Sequence, residues 1–161
     1  KIYTEKISKI RGGCGMNPVV AQLIKKVQTN NRFQIAAALG ITVVFESLGE
    51  VRGYYSKSHQ QKVIHINSEM ESSEQIFTCA HEVGHALLHP YLSTPFLRSN
   101  TLFPIGKFEG EANRFAVDLL FDDTELQPFL DRPISDAAQY MGVSEELAAY
   151  RMRSVEPKFL V

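Results

Sequence analysis

No sign of charge dominates this chain. Its 17 Lys and Arg residues stand against 18 Asp and Glu, a formal net charge of −1. No global field therefore draws it to nucleic acid or to an anionic membrane, and no block of like charge forms a polybasic or acidic tail. No apolar run comes near the roughly 18 residues that a bilayer span needs. Cysteine is scarce. Cys14 and Cys79 are the only two, too few and too far apart for a disulfide framework, which points to a reducing cytoplasm. Cys79 reads as a buried helix cysteine. Internal repeats, low-complexity tracts and a signal peptide are all absent to the eye. The chain opens on Lys1 rather than Met, so a trimmed N-terminus is expected.

What is present is enough apolar material for one core: 44% of 161 residues. Residues 1–16 are poorly patterned, and Gly12-Gly13-Cys14-Gly15 reads as a flexible turn. Asn17-Pro18 marks a helix start, with Val20, Leu23, Ile24 and Val27 at helical spacing. A short helix over Ile35 to Leu39 should stop at Gly40. Strands are expected at Ile41 to Phe45, Val51 to Tyr55 and Lys62 to Asn67. A helix near 73–89, capped by Ser72 or Ser73, precedes a Pro-, Ser- and Asn-rich loop from Pro90 to Lys107. Another helix follows over about 108–121, then short helices punctuated by Pro128, Pro133 and Gly142. The expected fold is α+β: a small three-stranded sheet packed against two long helices, followed by short ones.

One segment carries chemistry. Cys79-Ala80-His81-Glu82-Val83-Gly84-His85-Ala86-Leu87-Leu88-His89 contains H-E-x-x-H. Histidines at i and i+4 share a helical face about 6 Å apart, so both rings can meet one ion. Glu82 sits beside that line, where a carboxylate can take a proton from an activated water. On a helical wheel Ile76, Phe77, Ala80, Val83, Gly84, Leu87 and Leu88 form one apolar arc, with His81 and His85 at its edge. Gly84 costs a helix about 1 kcal/mol relative to Ala, which suggests that another element approaches closely there. By itself the motif is also compatible with two surface histidines on an ordinary amphipathic helix.

A catalytic zinc usually takes three protein ligands and keeps one position open. The candidates for the third are Glu109, Glu111, His89, His65 and His59. In the next helix Glu109, Asn113, Ala116 and Leu120 fall in one column beside the apolar arc of Ala112, Phe115, Ala116, Leu119 and Leu120. Glu111 groups with Arg114 and Asp118 on what should be the solvated face. Glu109 is therefore the expected ligand. Asn113, one turn on, could accept a hydrogen bond from the far ring nitrogen of a ligand histidine. His89 lies two turns from His81, about 12 Å along the axis, and should instead end the helix. The spacing of a metzincin third histidine is missing.

With these two constellations in view, the chain resembles the ImmA/IrrE family of zinc peptidases. The resemblance rests on His81 to His89 and on Glu109-Gly110-Glu111-Ala112-Asn113-Arg114-Phe115-Ala116. Ile64-His65-Ile66-Asn67 looks like the strand that precedes the active helix in that family. It covers most of residues 30–155. In the wider class, Asp often stands where Asn113 stands here. The resemblance implies a cytoplasmic endopeptidase with one zinc ion that cleaves a helix-turn-helix repressor in a mobile-element or stress-response circuit. That repressor is expected to be a separate protein, and direct nucleic-acid or membrane binding is not expected. The implied organisation is a single metallopeptidase domain over 1–161, with a catalytic core over about 17–122 and a helical part over about 123–161.

The expected roles are His81, His85 and Glu109 on the ion and Glu82 as general base. Tyr54, Tyr55, His65 and Tyr91 are candidates for an additional oxyanion or substrate contact. The strand around 62–67 could pair with an extended substrate. Two rival readings stand beside this one. Residues 134–153 have helix-turn-helix spacing, with Gly142 in the turn and Ser144 as cap. Yet Glu145 and Glu146 lead the second helix and the basic Arg151 and Arg153 come late, a poor surface for phosphates. The other rival is a non-catalytic module that keeps zinc for structure or sensing. A structural site needs no general base, and Glu82 speaks against it.

Overall fold

The computed structural model describes residues 16–91 and 105–155. The Gly12 to Gly15 turn and most of the expected 90–107 loop lie outside them. The first helix, α1 (Pro18–Val27), begins where Asn17 accepts a hydrogen bond from the Val19 amide at 2.9 Å, with Pro18 in the first turn. Helix α2 (Arg32–Ala38) is capped in the same way by Asn31. Strands β1 (Ile41–Glu46), β2 (Gly53–Ser58) and β3 (Gln61–Asn67) follow.

The sheet order is β1-β3-β2, with β3 parallel to β1 and antiparallel to β2. This corrects the idea that the 62–67 strand receives substrate: β3 is central, and both of its edges are already bonded. Strand alternation sends Tyr55, Ile64 and Ile66 into the core and Tyr54, Ser56 and His65 to the other face.

Helix α3 (Ser72–Leu88) packs on the inner face of the sheet, and helix α4 (Ile105–Leu120) packs along α3. The expected serine cap of α3 is not formed; Glu71 occupies the cap position without a side-chain bond. Nor is α3 a two-faced helix in its middle. Every residue from Thr78 to Ala86 is buried, between the sheet on one side and α4 on the other. Gly84 explains how α4 comes so near: a Cβ there would lie 3.1 Å from Phe115 Cδ1 and 3.3 Å from the Ala112 backbone. Ile64, Ile66, Val83, Phe115 and Leu119 join Val20 and Leu23 of α1 in this core.

A second apolar cluster holds the C-terminal helices α5 (Asp123–Leu126), α6 (Ile134–Met141) and α7 (Glu145–Met152), with a 3-10 turn over Gln127–Phe129. Gly142 ends α6 in the left-handed region at φ 66°, and Ser144 caps α7 through the Leu147 amide at 3.3 Å. The two clusters are tied by buried polar groups, of which the helical wheel misplaced Asp118. Asp118 is 1% exposed rather than solvated, because α7 covers that face of α4. It accepts from the Asn17 amide at 3.1 Å and from the Tyr150 hydroxyl at 3.0 Å. Arg151, fully buried, donates to the Phe121 carbonyl and to Ser154 and pairs with Asp123. Each of these buried polar groups gains a partner, without which burial would be costly.

Candidate active site

Helices α3 and α4 bring His81, His85 and Glu109 together. One ligand-type atom from each lies within 4.8 Å of the others. The two Nε2 atoms are 3.1 Å apart; Glu109 places Oε2 3.2 Å from His81 and Oε1 3.6 Å from His85. On the far side of the first ring, Nδ1 of His81 donates to Oδ1 of Asn113 at 2.8 Å. That bond decides the tautomer. With the proton on Nδ1, the Nε2 of a neutral ring carries a lone pair.

The cluster is therefore a set of electron-pair donors aimed at one another. Glu109 Oε1 has no hydrogen-bond partner among the described residues. Burial disfavours a charged His81 ring, but Glu109, Glu82 and Asn113 outweigh it and raise its pKa above the ordinary value. The His81 and His85 rings beside it hold the Glu109 carboxyl well below the usual carboxylate range. Both shifts say that this spot favours positive charge. Two imidazole nitrogens and one carboxylate oxygen suit zinc among the divalent ions, so the residues fit a cation between them.

Glu82 is 1% exposed and lines a cleft of about 490 Å³ together with His81, Glu109 and Asn113. The same cleft is lined by Phe77 and Thr78 of α3, by Arg52 and Gly53, and by Met141, Gly142, Val143, Ser144 and Leu147 of the α6–α7 turn. The segment with helix-turn-helix spacing thus presents its turn and the first turn of its second helix to the cleft. Asn67 holds the loop before β2 by donating to the Gly49 and Val51 carbonyls at 2.8 and 3.1 Å. This fixes Arg52, which pairs with Glu74 at 3.0 Å at the cleft edge.

Other sequence candidates lie elsewhere. Tyr54 stacks on His65 at 4.4 Å on the outer face of the sheet, where His65 also meets Glu46. Tyr55 is buried in the core, and Tyr91 is 83% exposed and faces Lys57. None of these four lines the cleft, because strand alternation and the end of α3 turn them away. His59 sits in the β2–β3 turn. His89 ends α3 as its cap residue, its Nε2 3.6 Å from Glu111 Oε2. Burial and the neighbouring His85 push its pKa down to about 4, so it is neutral at pH 7. Cys79 is buried in the core, as expected, and burial drives its thiol up to about 12. Sequence reasoning missed the cleft wall. Met141, Val143 and Leu147 look like ordinary hairpin residues, and no local pattern says which way a distant turn will face.

Comparison with known proteins agrees with this geometry. The family model described as Peptidase M78, IrrE N-terminal-like domain, matches residues 36–153. The chain is 41% identical over 132 residues to Uncharacterized immunity region protein 2 of Bacillus phage phi105, covering 80% of this chain and 84% of that protein. It is 31% identical over 153 residues to Metallopeptidase ImmA of Bacillus subtilis (strain 168), covering 92% of this chain and 80% of that protein. Among solved structures, a Mycobacterium tuberculosis transcriptional regulator matches with a TM-score of 0.52 at 16% identity, over 83% of this chain but only 44% of that one. That last likeness is one of fold. The donor cluster and the two extended sequence matches lead to one conclusion: the chain belongs to the ImmA/IrrE family of metallopeptidases, with the IrrE N-terminal-like domain.

Proposed function

We propose that this protein is a zinc-dependent endopeptidase in which His81, His85 and Glu109 hold one zinc ion and Glu82 is the general base. The observation that carries this reading is the mutual approach of three electron-pair donors, 3.1 to 3.6 Å apart, two of which, His81 and Glu109, line a cleft together with the buried Glu82. A bound zinc ion would supply Lewis acidity to a water molecule and to the scissile carbonyl. The chain does the rest. Glu82 takes a proton from the attacking water, the water oxygen bonds to the carbonyl carbon, and the C–N bond breaks as Glu82 hands the proton to the leaving nitrogen. Asn113 holds His81 in the tautomer that leaves Nε2 bare.

The proposed substrate is a helix-turn-helix repressor of a mobile-element or stress-response circuit, a separate protein in the same cytoplasm. The similarity to a protein named for a phage immunity region supports that circuit, and the free thiol of Cys79 suits a reducing compartment. No helix among the described residues is long and apolar enough to cross a membrane. We propose a single domain, with residues from about 17 to 122 as the catalytic core and from about 123 to 161 as its helical part, of which Met141 to Ser144 and Leu147 line the cleft. The test is cleavage of a co-encoded repressor by purified protein with and without chelator. Glu82→Gln should keep its zinc and lose hydrolysis; cleavage at the wild-type rate by this variant would remove Glu82 from the mechanism.

A further inference from the structure

On the outer face of the sheet, three polar side chains form a hydrogen-bonded chain across all three strands. The register sets them there. His65 of the central strand β3 lies directly opposite Val44 of β1 and Tyr54 of β2. Glu46 and Ser56 stand two residues further along those flanking strands, so each is a diagonal neighbour of His65 on the same face. Nδ1 of His65 donates to Oε1 of Glu46, and its Nε2 faces the Ser56 hydroxyl at 3.4 Å. A carboxylate can only accept, so the proton sits on Nδ1 and Nε2 keeps a lone pair for the hydroxyl proton. The Tyr54 ring stacks on the imidazole at 4.4 Å and 14°, which holds its plane between the two partners. The His65 and Glu46 side chains are 21% and 44% exposed, and Ser56 is half-buried, so small molecules reach them. None of the three lines the cleft.

We propose that Ser56, His65 and Glu46 form a second reactive site, in which Ser56 is a nucleophile that accepts an acyl group from a neutral ester or thioester. The site stands apart from the peptidase reading. A hydroxyl, an imidazole that takes its proton and a carboxylate that fixes the imidazole tautomer are the parts of nucleophilic acyl transfer. In the step, Ser56 Oγ bonds to the acyl carbon as His65 Nε2 takes the hydroxyl proton. The bond from that carbon to the leaving oxygen or sulfur then breaks, and the leaving group receives the proton from Nε2. The products are an O-acyl serine and a free alcohol or thiol. Charge selects the donor class. The Glu46 carboxylate disfavours an anionic phosphoryl donor. Lys57 and Lys62 alternate to the other face of the sheet and donate to the Pro90 and Leu39 carbonyls. The face is open to water, so the gain is that of a general base alone, on the order of 10²–10⁴-fold over an unassisted hydroxyl. That gain suits a single acylation rather than fast turnover.

The test exposes the full chain briefly to p-nitrophenyl acetate, with and without chelator, and locates acetyl groups by tandem mass spectrometry after digestion. Wild-type protein should carry acetyl on Ser56, formed at the same rate in both conditions. His65→Gln should lower the rate at Ser56 on the order of 100-fold or more, while acetylation of the lysines in the same sample stays constant. Glu46 acts through His65 and is a positioning residue. Glu46→Gln should lower the rate on the order of 10-fold or more, because an amide can donate to Nδ1 and leave the proton on Nε2. Circular dichroism of both variants should match the wild type, since the changes lie on the outer face. Should His65→Gln fail to fold, Glu46→Gln decides alone. No acetyl on Ser56 of the wild type, or equal rates at Ser56 in wild type and the folded variants, overturns the site and leaves the three residues as a structural hydrogen-bond chain.

Discussion

Asn113 accepts a 2.8 Å hydrogen bond from Nδ1 of His81, across the gap between two helices that start more than thirty residues apart in sequence. The bond orients the ring and leaves Nε2 to face His85 and Glu109. Partners of this kind typically change metal affinity 10- to 100-fold. Asn113→Ala should therefore bind zinc on the order of 10- to 100-fold more weakly in a chelator competition, with the fold retained by circular dichroism. Asn113→Asp should hold zinc at least as tightly as the wild type, because a carboxylate accepts the same bond more strongly. Equal affinity in the Ala variant would make Asn113 a bystander.

Gly84 sets the distance between those helices. An alanine there would gain about 1 kcal/mol of helix propensity. It would also press a methyl group against the Ala112 backbone at 3.3 Å and Phe115 at 3.1 Å. A backbone neighbour cannot rotate away, and overpacking costs about 1–3 kcal/mol. Gly84→Ala should lower stability by about 1 kcal/mol in urea melts. It should lower zinc affinity as well, since moving α4 by a few tenths of an ångström separates Glu109 from the histidines. A stabilised variant with unchanged zinc binding would contradict this.

Tyr150 offers a pH-dependent test of how the C-terminal helices are attached. Burial, with the Asp118 charge and hydrogen bond added, raises its hydroxyl above the ordinary value of 10.0. Above that pH the folded chain keeps a proton that the unfolded chain releases, so raising the pH favours unfolding. Wild-type stability should fall more steeply between pH 9 and 11 than that of Tyr150→Phe, measured by urea midpoints. At pH 7 the Phe variant should be weaker by about 1–2 kcal/mol, because Asp118 loses a donor in a buried site. Parallel pH profiles for the two proteins would show that the shift is absent.

The thiol of Cys79 should be inert in the folded protein. Its value of about 12 leaves almost no thiolate at pH 8, and the side chain is buried. In a Cys14→Ser background, iodoacetamide should label Cys79 only after denaturant is added. Rapid labelling of native protein would show that the core around α3 opens readily.

Local signals in the sequence reached far into this fold. Asn17 with Pro18, Ser144 with Gly142, and the alternation through Ile64 and Ile66 each place an element through short-range physics. The H-E-x-x-H spacing brings His81 and His85 together because one helix turn is a fixed distance. Glu109 and Asn113 stand one turn apart in one column of a second helix, so the wheel groups them before any contact is known. The failures share a cause in tertiary contact. Asp118 looked solvated until α7 covered it, β3 looked available until two strands paired with it, and Tyr54, His65 and Tyr91 looked near the chemistry only in sequence. The cleft wall at Val143 and Leu147 depends on how two separate cores are joined, which no window of residues encodes.

The most direct test of the account is anomalous diffraction at the zinc edge from crystals of the full chain grown with zinc. One peak should lie about 2.0–2.2 Å from Nε2 of His81, Nε2 of His85 and a carboxylate oxygen of Glu109, and it should vanish in Glu109→Ala crystals grown alongside. A peak held by other residues, or none at all at these three, would contradict the metal centre on which the proposed hydrolysis depends.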